Sequence, residues 1–428
     1  MNQVQINPTK LSILSINRSK YWIFKSAILE FLHSEANRNS KEEEIYSSED
    51  EIDSLNDKFS YLNRSKRNSL YESSSSSSYS PRGRKKHGSV SSTSSFNEKE
   101  IDNSSKDDSK DDSKDKEDSF DEYEEDDDNN YFFHIAFTPI ECTIICSTKI
   151  MNQLFSKPLK LCESLGYDDI KLVEEKFVNL QIDSGGNDNN RIIQLTKPLS
   201  ENNISLFFLS SHFSDIVLIP HHLEEKVINI LTQNHFEFND ISGSYIINNF
   251  NKEETTQSGI DLVEKTFKLF KDSNIRPIIN KDISLLLTGS RSNDVTTTIL
   301  KTATNISKDN IPNYFAITRT SYNEISLILP KSSKTRSKLG FQSKFLIGST
   351  QDIINPITID LQKLPLDSTG IVAGMASMII NGVNSFPIDY PFELNYLSMA
   401  RSAILMIPKE NIDLVDEILN IDYNQFST

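Results

Sequence analysis

Two stretches of the sequence, Asp215-Ile-Val-Leu-Ile-Pro220 and Ala403-Ile-Leu-Met-Ile-Pro408, follow the same pattern. Each is an apolar run of strand length that ends at a proline. A segment with helical spacing of apolar residues follows each run, at Val227–Leu231 and at Leu414–Leu419. Proline suits the start of a helix because its missing N–H would have no partner there. With Ile325–Pro330 as a weaker third copy, the pattern indicates an internally duplicated fold.

Outward from these copies, strand-like and helix-like segments alternate along most of the chain. The predicted strands are Leu11–Ile16, Tyr131–Phe137, Cys142–Cys146, Phe177–Ile182, Ile204–Leu209, Asp215–Ile219, Ile283–Leu287, Tyr314–Ile317, Ile325–Leu329, Ile357–Leu361, Leu394–Ala400 and Ala403–Ile407. Helical spacing covers Lys20–Glu35, Arg191–Leu199, Asn293–Ala303 and Ser368–Ile380, the last with Ser368 as its N-cap. The order is that of a βαββαβ, ferredoxin-like unit. We therefore predict an α+β fold with four such units.

The charge of the chain is concentrated in one segment. The 428 residues carry a net charge of -16. Residues 40–129 hold 26 acidic and 14 basic residues, which is -12, and 24 serines. Such a composition cannot bury enough apolar surface to offset the entropy of ordering. It predicts a disordered, serine-rich acidic insertion over residues 37–129. The remaining residues show no concentrated basic surface, so nucleic-acid binding is not expected.

The insertion and the repeats together set the predicted boundaries. The first unit spans residues 1–36 together with 130–170, on either side of the insertion. The second spans 171–245, a linker 246–280, the third unit 281–340 and the fourth 341–428.

Residue patterns that carry catalysis or bind metals are missing. Gly370-x-x-x-Gly374 lacks the Lys-Ser/Thr ending of a phosphate loop and indicates close helix packing. Cys142 and Cys146 indicate buried thiols in a strand, and His221-His222 indicates an exposed first turn of a helix. We expect no catalytic residues, no metal and no cofactor. With no secretory signal and no apolar run of membrane-spanning length, a cytoplasmic protein is expected.

Three segments together resemble one known family. The segments Leu11–Phe31, Leu199–Leu231 and Asp367–Ala376 look like the CASTOR family, whose members are ACT-domain proteins that sense arginine upstream of the target-of-rapamycin kinase. The resemblance implies four ACT modules in two tandem pairs, with an amino acid bound between the second and fourth modules. The serine- and asparagine-rich composition suggests that the chain is a fungal relative of this family.

The resemblance also implies the residues of the ligand site. The α-amino and α-carboxylate groups would be held by Ser205 and by the start of a helix, whose free N–H groups suit a carboxylate. The implied ligand-binding residues are Asn203, Ile204, Ser205 and Leu206 at a strand start, Asp367, Ser368, Gly370 and Ile371 at the helix start, and Met399, Ala400 and Ala403 on the facing strands.

The chain differs from the family's arginine sensors at residues that would determine which ligand binds. The arginine sensors have Glu in the place of Ser368 and, in the place of Ala403, an Asp that pairs with the guanidinium. A buried guanidinium without a carboxylate is strongly unfavourable, so arginine is not the expected ligand. A smaller apolar amino acid and a vestigial pocket are the two alternatives, and Arg401 nearby would favour an acidic ligand.

The insertion carries two candidate phosphorylation sites. Ser69 follows Lys66-Arg67, and Ser89 follows the basic cluster Arg82–Lys86. Phosphate would add negative charge there.

Three functions remain open on these residues. The first is a non-catalytic sensor that reports amino-acid availability to a protein partner in a nutrient-signalling complex. The others are a ligand-free interaction scaffold and a regulatory subunit of an amino-acid biosynthetic enzyme. A homodimer is one of the assemblies that such modules allow.

Overall fold

A computed structural model describes residues 2–40, 130–183, 190–238, 259–387 and 392–425. The insertion predicted over 37–129 lies outside the described residues except for its first four. Residues 37–40 are the end of a helix, so the predicted boundary at residue 37 was too early. The candidate phosphorylation sites Ser69 and Ser89 also lie outside the described residues.

Repeat 1 begins with a long strand that is buried on both faces. Leu11 and Ile13 contact one apolar cluster, while Leu14 and Ile16 contact another. This is the alternation that a strand imposes on its side chains. A 3-10 turn, Arg18–Phe24, leads into the first helix, and a π-helical turn joins the second and third helices. The elements of repeat 1 are β1 (Asn2–Asn17), α1 (25–40), β2 (Phe133–Phe137), β3 (Glu141–Ser147), α2 (Thr148–Ile150), α3 (Ser156–Ser164) and β4 (Ile170–Leu172).

Repeat 2 contains the first of the strand–proline copies. Its elements are β5 (Phe177–Asp183), α4 (Arg191–Glu201), β6 (Phe207–Ser210), β7 (Ser214–Pro220), α5 (Glu224–Gln233) and β8 (Phe236–Phe238). Pro220 ends β7 and precedes a 3-10 turn that opens α5, as the duplicated pattern predicts. The strand β8 does not pair with β5. It lies parallel to residues 2–4 at the start of β1, and that part of β1 lies between β8 and β5.

The segment predicted as a linker over 246–280 is folded where the structure describes it. It forms α6 (Gly259–Asp272) and β9 (Ile278–Ile279). The strand β9 pairs with the first strand of repeat 4, whose residue Ile357 lies opposite Ile279. The linker prediction is therefore wrong for residues 259–279, which complete repeat 4.

Repeats 3 and 4 share the order strand, helix, strand, strand, helix, after which repeat 3 alone adds a final strand; in repeat 4 the strand β9, from before β14, takes that place. Repeat 3 consists of β10 (Leu285–Ser290), α7 (Val295–Ser307), β11 (Phe315–Ser321), β12 (Glu324–Pro330), α8 (Ser333–Lys338) and β13 (Leu346–Ile347). Repeat 4 consists of β14 (Ile354–Asp360), α9 (Ile371–Asn384), β15 (Asn395–Ser398), β16 (Ser402–Pro408) and α10 (Ile412–Gln425). Because β13 pairs with β10, the predicted boundary at residue 341 falls inside repeat 3.

The strand order within each repeat identifies the fold. Repeat 1 has the order β4-β1-β3-β2, repeat 3 has β13-β10-β12-β11, and repeat 4 has β9-β14-β16-β15. Repeat 2 has β5-β7-β6, with β1 on the outer side of β5. In repeats 1 and 3 this is the order that a βαββαβ unit produces. In repeats 2 and 4 the outer place is filled by β1 and by β9, which precede those repeats in the chain. The predicted α+β class is confirmed.

The repeats join edge to edge into one sheet that closes on itself. β2 pairs with β11, and β6 pairs with β15, which joins repeats 1 and 3 and repeats 2 and 4. β1 pairs with β5, and β10 pairs with β14 through Leu285 and Ile354 alone. The closed ring runs β10-β12-β11-β2-β3-β1-β5-β7-β6-β15-β16-β14 and back to β10.

Three apolar clusters hold the described residues together. One lies between the strands and helices of repeats 2 and 4, and a second between those of repeats 1 and 3. The third is formed by strand and loop residues of all four repeats, on the sheet face away from the helices. The helices therefore cover one face of the ring, and the other face encloses a helix-free core.

The helix α9 is buried nearly all round, as its continuous apolar sequence requires. A side chain added at Gly374 would overlap Thr266 of α6, and one at Gly382 would meet Ile418 of α10. Gly374 is thus a close-packing glycine, as the sequence indicated. Within the described ranges, no helix has the length and apolar character needed to cross a membrane.

Candidate functional site

An open pocket lies where repeats 2 and 4 meet, beside the pairing of β6 with β15. The segment between α4 and β6 forms one wall. The loop between β14 and α9 and the turn between β15 and β16 form the rest. The pocket encloses about 600 Å³, including space continuous with solvent. Its lining residues are Ser200, Ile204, Leu206, Phe207, Leu361, Leu364, Pro365, Leu366, Ser368, Gly370, Ile371, Val372, Tyr396, Ser398, Met399, Ala400, Ser402 and Ala403.

The first turn of α9 forms part of the wall. Gly370 precedes the helix with φ +86°, a left-handed backbone that glycine adopts without steric penalty. It makes no side-chain cap, so the first N–H groups of the helix have no side-chain partner. Gly370, Ile371 and Val372 all line the pocket. Ser368 was expected to cap this helix, but its Oγ donates to the carbonyl of Pro365 at 2.7 Å, so that prediction was wrong.

Eight of the eleven ligand-binding residues implied by the resemblance line this pocket. They are Ile204, Leu206, Ser368, Gly370, Ile371, Met399, Ala400 and Ala403. Asn203, Ser205 and Asp367 do not line it. Asn203 occupies a tight turn with φ +55°, and Asp367 is exposed on the loop before α9.

The wall also contains residues that the sequence analysis did not assign. Ser200, at the end of α4, lines the pocket although Ser205 was the serine expected there. Ser402, the first residue of β16, is another polar wall residue that the sequence analysis did not assign. That the end of α4 brings Ser200 to the pocket could not be derived from spacing alone. The remaining unassigned residues are Phe207, Leu361, Leu364, Pro365, Leu366, Val372, Tyr396 and Ser398.

Among the residues that the structure describes, no charged side chain lines the pocket. Its polar side chains are three serine hydroxyls besides Ser200, and the phenol of Tyr396. Burial raises the pKa of Tyr396, so the phenol is neutral at physiological pH. Arg401 stands in the β15–β16 turn but does not line the pocket, and its guanidinium donates to the carbonyl of Asp168 at 3.0 Å. An acidic ligand therefore finds no cation here.

A buried carboxylate fixes the turn that forms the pocket wall. Oε1 of Glu141, in β3, accepts hydrogen bonds from the N–H of Arg401 at 3.0 Å and the Oγ of Ser402 at 2.7 Å. Its Oε2 accepts from Ser15 Oγ at 2.9 Å and Thr143 Oγ1 at 3.0 Å. One oxygen thus binds repeat 4 and the other binds repeat 1.

Replacing Glu141 with glutamine is expected to change how stability depends on pH. Burial raises the pKa of Glu141 above its ordinary 4.5, although its hydrogen bonds oppose this shift. A raised pKa favours the protonated folded form, so this contribution is complete below pH 4.5 and is lost as pH rises through the folded value. The wild-type free energy of unfolding should therefore fall relative to Glu141→Gln above that pH.

Urea unfolding at several pH values measures this difference. The glutamine can accept from Arg401 and donate to a serine hydroxyl, so it should fold. Glu174→Gln is the control, because Glu174 is exposed. Parallel pH profiles for wild type and Glu141→Gln would contradict the expectation.

Other candidate sites in the sequence have ordinary structural roles. Cys142, Cys146 and Cys162 are buried and form no disulfide, and burial raises the pKa of each thiol. His221 and His222 lie in the 3-10 turn before α5, where His222 Nδ1 is 3.1 Å from Glu175 Oε1. In the part of the chain that the structure describes, no group of three His, Cys, Asp or Glu residues could hold a metal ion.

Comparison with known proteins assigns one repeat to a family. Residues 172–233 match the ACT domain model, a range that runs from the end of β4 to the end of α5. This part of the chain is an ACT domain, and it supplies one wall of the pocket. No curated protein matches the chain.

Two solved structures are similar at low scores. Aspartate kinase from Synechocystis is 9% identical with a TM-score of 0.28, over 69% of this chain and 50% of that one. The chain thus spans half the length of that kinase. Protein Atu0741 from Agrobacterium tumefaciens is 15% identical with a TM-score of 0.19, over 25% of this chain and 85% of that one. At these TM-scores neither likeness bears on function.

Proposed function

We propose that the chain is a non-catalytic regulatory protein built from four ACT modules, and that it binds a small amino acid in the pocket between repeats 2 and 4. The observation that carries this proposal is the pocket itself. It lies between the ACT domain of repeat 2 and the start of α9, and eight residues that the CASTOR resemblance implies line it.

The walls of the pocket fit the two ends of an uncharged amino acid. The N-terminus of α9 offers N–H groups and the positive end of a helix dipole to an α-carboxylate. Serine hydroxyls at Ser200, Ser368 and Ser402 can bind the α-amino group. Leucine, isoleucine and methionine side chains surround the rest, so an aliphatic ligand side chain is favoured. Ala403 offers no partner to a guanidinium, which disfavours arginine.

The proposal extends to a role in the cell. A CASTOR-like protein of fungal origin would act in the cytoplasm and report amino-acid availability to a partner in target-of-rapamycin signalling, or regulate amino-acid metabolism. Ligand binding between two repeats would stabilise one arrangement of them and so change the affinity for that partner. Phosphorylation at Ser69 or Ser89 would modulate the same interaction through added charge.

A thermal-shift screen of the full chain against each proteinogenic amino acid tests the proposal. A ligand at about 100 times its dissociation constant adds about 2.7 kcal/mol of stability. We expect a small aliphatic amino acid to raise the melting temperature, and Gly370→Ala to weaken its binding at least tenfold. A Cβ at φ +86° forces the backbone before α9 to shift and moves the N–H groups that would hold the carboxylate.

Gly166→Ala is a closely matched control. Gly166 also has a left-handed backbone, with φ +68°, and a Cβ there would meet nothing within 4 Å. Both variants should lose about 1 kcal/mol of stability from backbone strain. Only Gly370→Ala should lose affinity. Equal affinity in the two variants would contradict a role for the helix start, and no shift with any amino acid would favour the scaffold alternative.

A further inference from the structure

The closed ring contains four junctions of the same construction. The pairings β2–β11 and β6–β15 each bring two repeats side by side, and each pairing has two ends. At each end, residues beside the turn between the second and third strands of one repeat lie near residues that precede the paired strand of the other. At two of the ends the segment after a first strand takes part as well, with residues 361–372 in the pocket and with Arg18 after β1. The pocket is the junction formed by residues 200–207 with residues 361–372 and 398–403.

An arginine fills the corresponding junction between repeats 1 and 3. Arg18 directly follows β1, the first strand of repeat 1. Its Nη2 donates to the carbonyls of Ile311 at 3.1 Å and Pro312 at 3.2 Å, in the segment before β11. Its guanidinium carbon lies 4.8 Å from the ring centroid of Phe137, at the end of β2. The group therefore contacts all parts of this junction.

A second arginine fills the other end of the same pairing. Arg319 is completely buried beside the β11–β12 turn, where Nε donates to Ser321 O at 3.1 Å and Nη2 to Tyr322 O at 3.0 Å. Across the junction, Nη1 lies 3.1 Å from Glu35 Oε2, and Nη2 donates to Asn39 Oδ1 at 2.6 Å. Both partners lie in the last turns of α1.

A third arginine occupies the second junction between repeats 2 and 4. Arg191 begins α4, and its Nε donates at 2.7 Å to Asp215 Oδ2, beside the β6–β7 turn. Glu393, in the segment before β15, is within electrostatic reach. Its pKa is raised by desolvation and by Asp215, and lowered by Arg191. The guanidinium thus lies between residues beside the β6–β7 turn and the segment before β15.

In the described part of the chain, the pocket junction differs from the other three in having no arginine among its lining residues. Arg401 lies in its turn but donates to repeat 1 instead. We propose that Arg18, Arg319 and Arg191 are built-in ligands, whose guanidinium groups fill three equivalent junctions and close them to free ligands. The chain therefore has one junction that accepts a ligand, and removal of a built-in arginine creates a new site for guanidinium compounds.

Chemical rescue of the full chain tests this proposal. We expect Arg18→Ala to melt at a lower temperature than wild type, and millimolar methylguanidinium chloride to restore about 2 °C or more of the loss in a saturable manner. Methylammonium chloride at equal ionic strength should not restore it, because it lacks the planar donor fork. Wild type and Arg276→Ala, which removes an exposed arginine, should not respond.

If the Arg18→Ala variant does not fold, the Arg191→Ala variant provides the same test. Arg191 retains 17% of its side-chain exposure, so its loss leaves a shallower cavity beside Asp215. Methylguanidinium should stabilise this variant too. A folded variant that methylguanidinium does not stabilise, or an equal response in Arg276→Ala, would overturn the proposal. The outcome does not depend on amino-acid binding in the open pocket, so the two proposals can fail separately.

Discussion

Arg319→Ala is expected to lower the free energy of unfolding of the full chain by about 3–5 kcal/mol. The guanidinium is completely buried, and its removal takes a cationic partner away from the buried Glu35 carboxylate. The carbonyls of Ser321 and Tyr322, in half-buried residues, lose the hydrogen bonds that Arg319 donates. Urea unfolding measures the change.

A double variant separates the broken ion pair from the lost packing. Arg319→Met together with Glu35→Leu removes both charges and keeps apolar volume, so it should recover much of the loss. The exposed Arg276→Ala variant should change stability by less than about 0.5 kcal/mol. If Arg319→Ala were as stable as Arg276→Ala, the ion pair would make no contribution to the stability of the fold.

Gly374→Ala is expected to lower the free energy of unfolding by about 1–3 kcal/mol. This is opposite to the usual effect of replacing glycine with alanine inside a helix. Alanine in the middle of a helix normally adds up to about 1 kcal/mol relative to glycine. Here the added methyl group would overlap Thr266 and lie 3.0 Å from the carbonyl of Leu262, both on α6. The two helices would have to separate along their contact.

Matched substitutions identify the cause. Thr266→Ala removes the hydroxyl, the atom nearest to the new methyl group, but keeps the Thr266 Cβ that it also overlaps, so the double variant should recover part of the stability that Gly374→Ala loses. Asn381→Ala on the same helix is exposed and should be neutral or slightly stabilising. Thermal unfolding of the four variants gives the comparison. A Gly374→Ala chain more stable than wild type would show that α6 and α9 do not pack as described.

The sequence predicted the strands well because their signal is local. The strands that end at Pro220 and Pro408 could be predicted from an apolar run followed by a proline. The helix α6 was missed because it follows a long polar stretch, although its own apolar residues have helical spacing. Its burial depends on α9, about a hundred residues further along the chain.

The candidate site was predicted only in part, because its walls come from segments that are far apart in the sequence. The resemblance brought together Ile204, Gly370 and Ala403 from distant segments, which composition and spacing could not do. Ser200 was missed because nothing in its spacing shows that the end of α4 lines the pocket. The junction arginines were missed entirely, since Arg18 and its acceptor Ile311 are separated by 293 residues. Their shared position next to the first strand or the turn of a repeat was the available signal.

The closed ring is joined unevenly. Repeats 1 and 2 pair at five residues of β1 and β5, and repeats 1 and 3 pair at five residues of β2 and β11. Each of the other two connections has a single residue pair, Leu209 with Leu397 and Leu285 with Ile354. Both single pairs involve repeat 4. Repeat 4 is therefore the unit whose separation from the ring would break the fewest strand pairings, and it carries the helix start that forms the pocket wall.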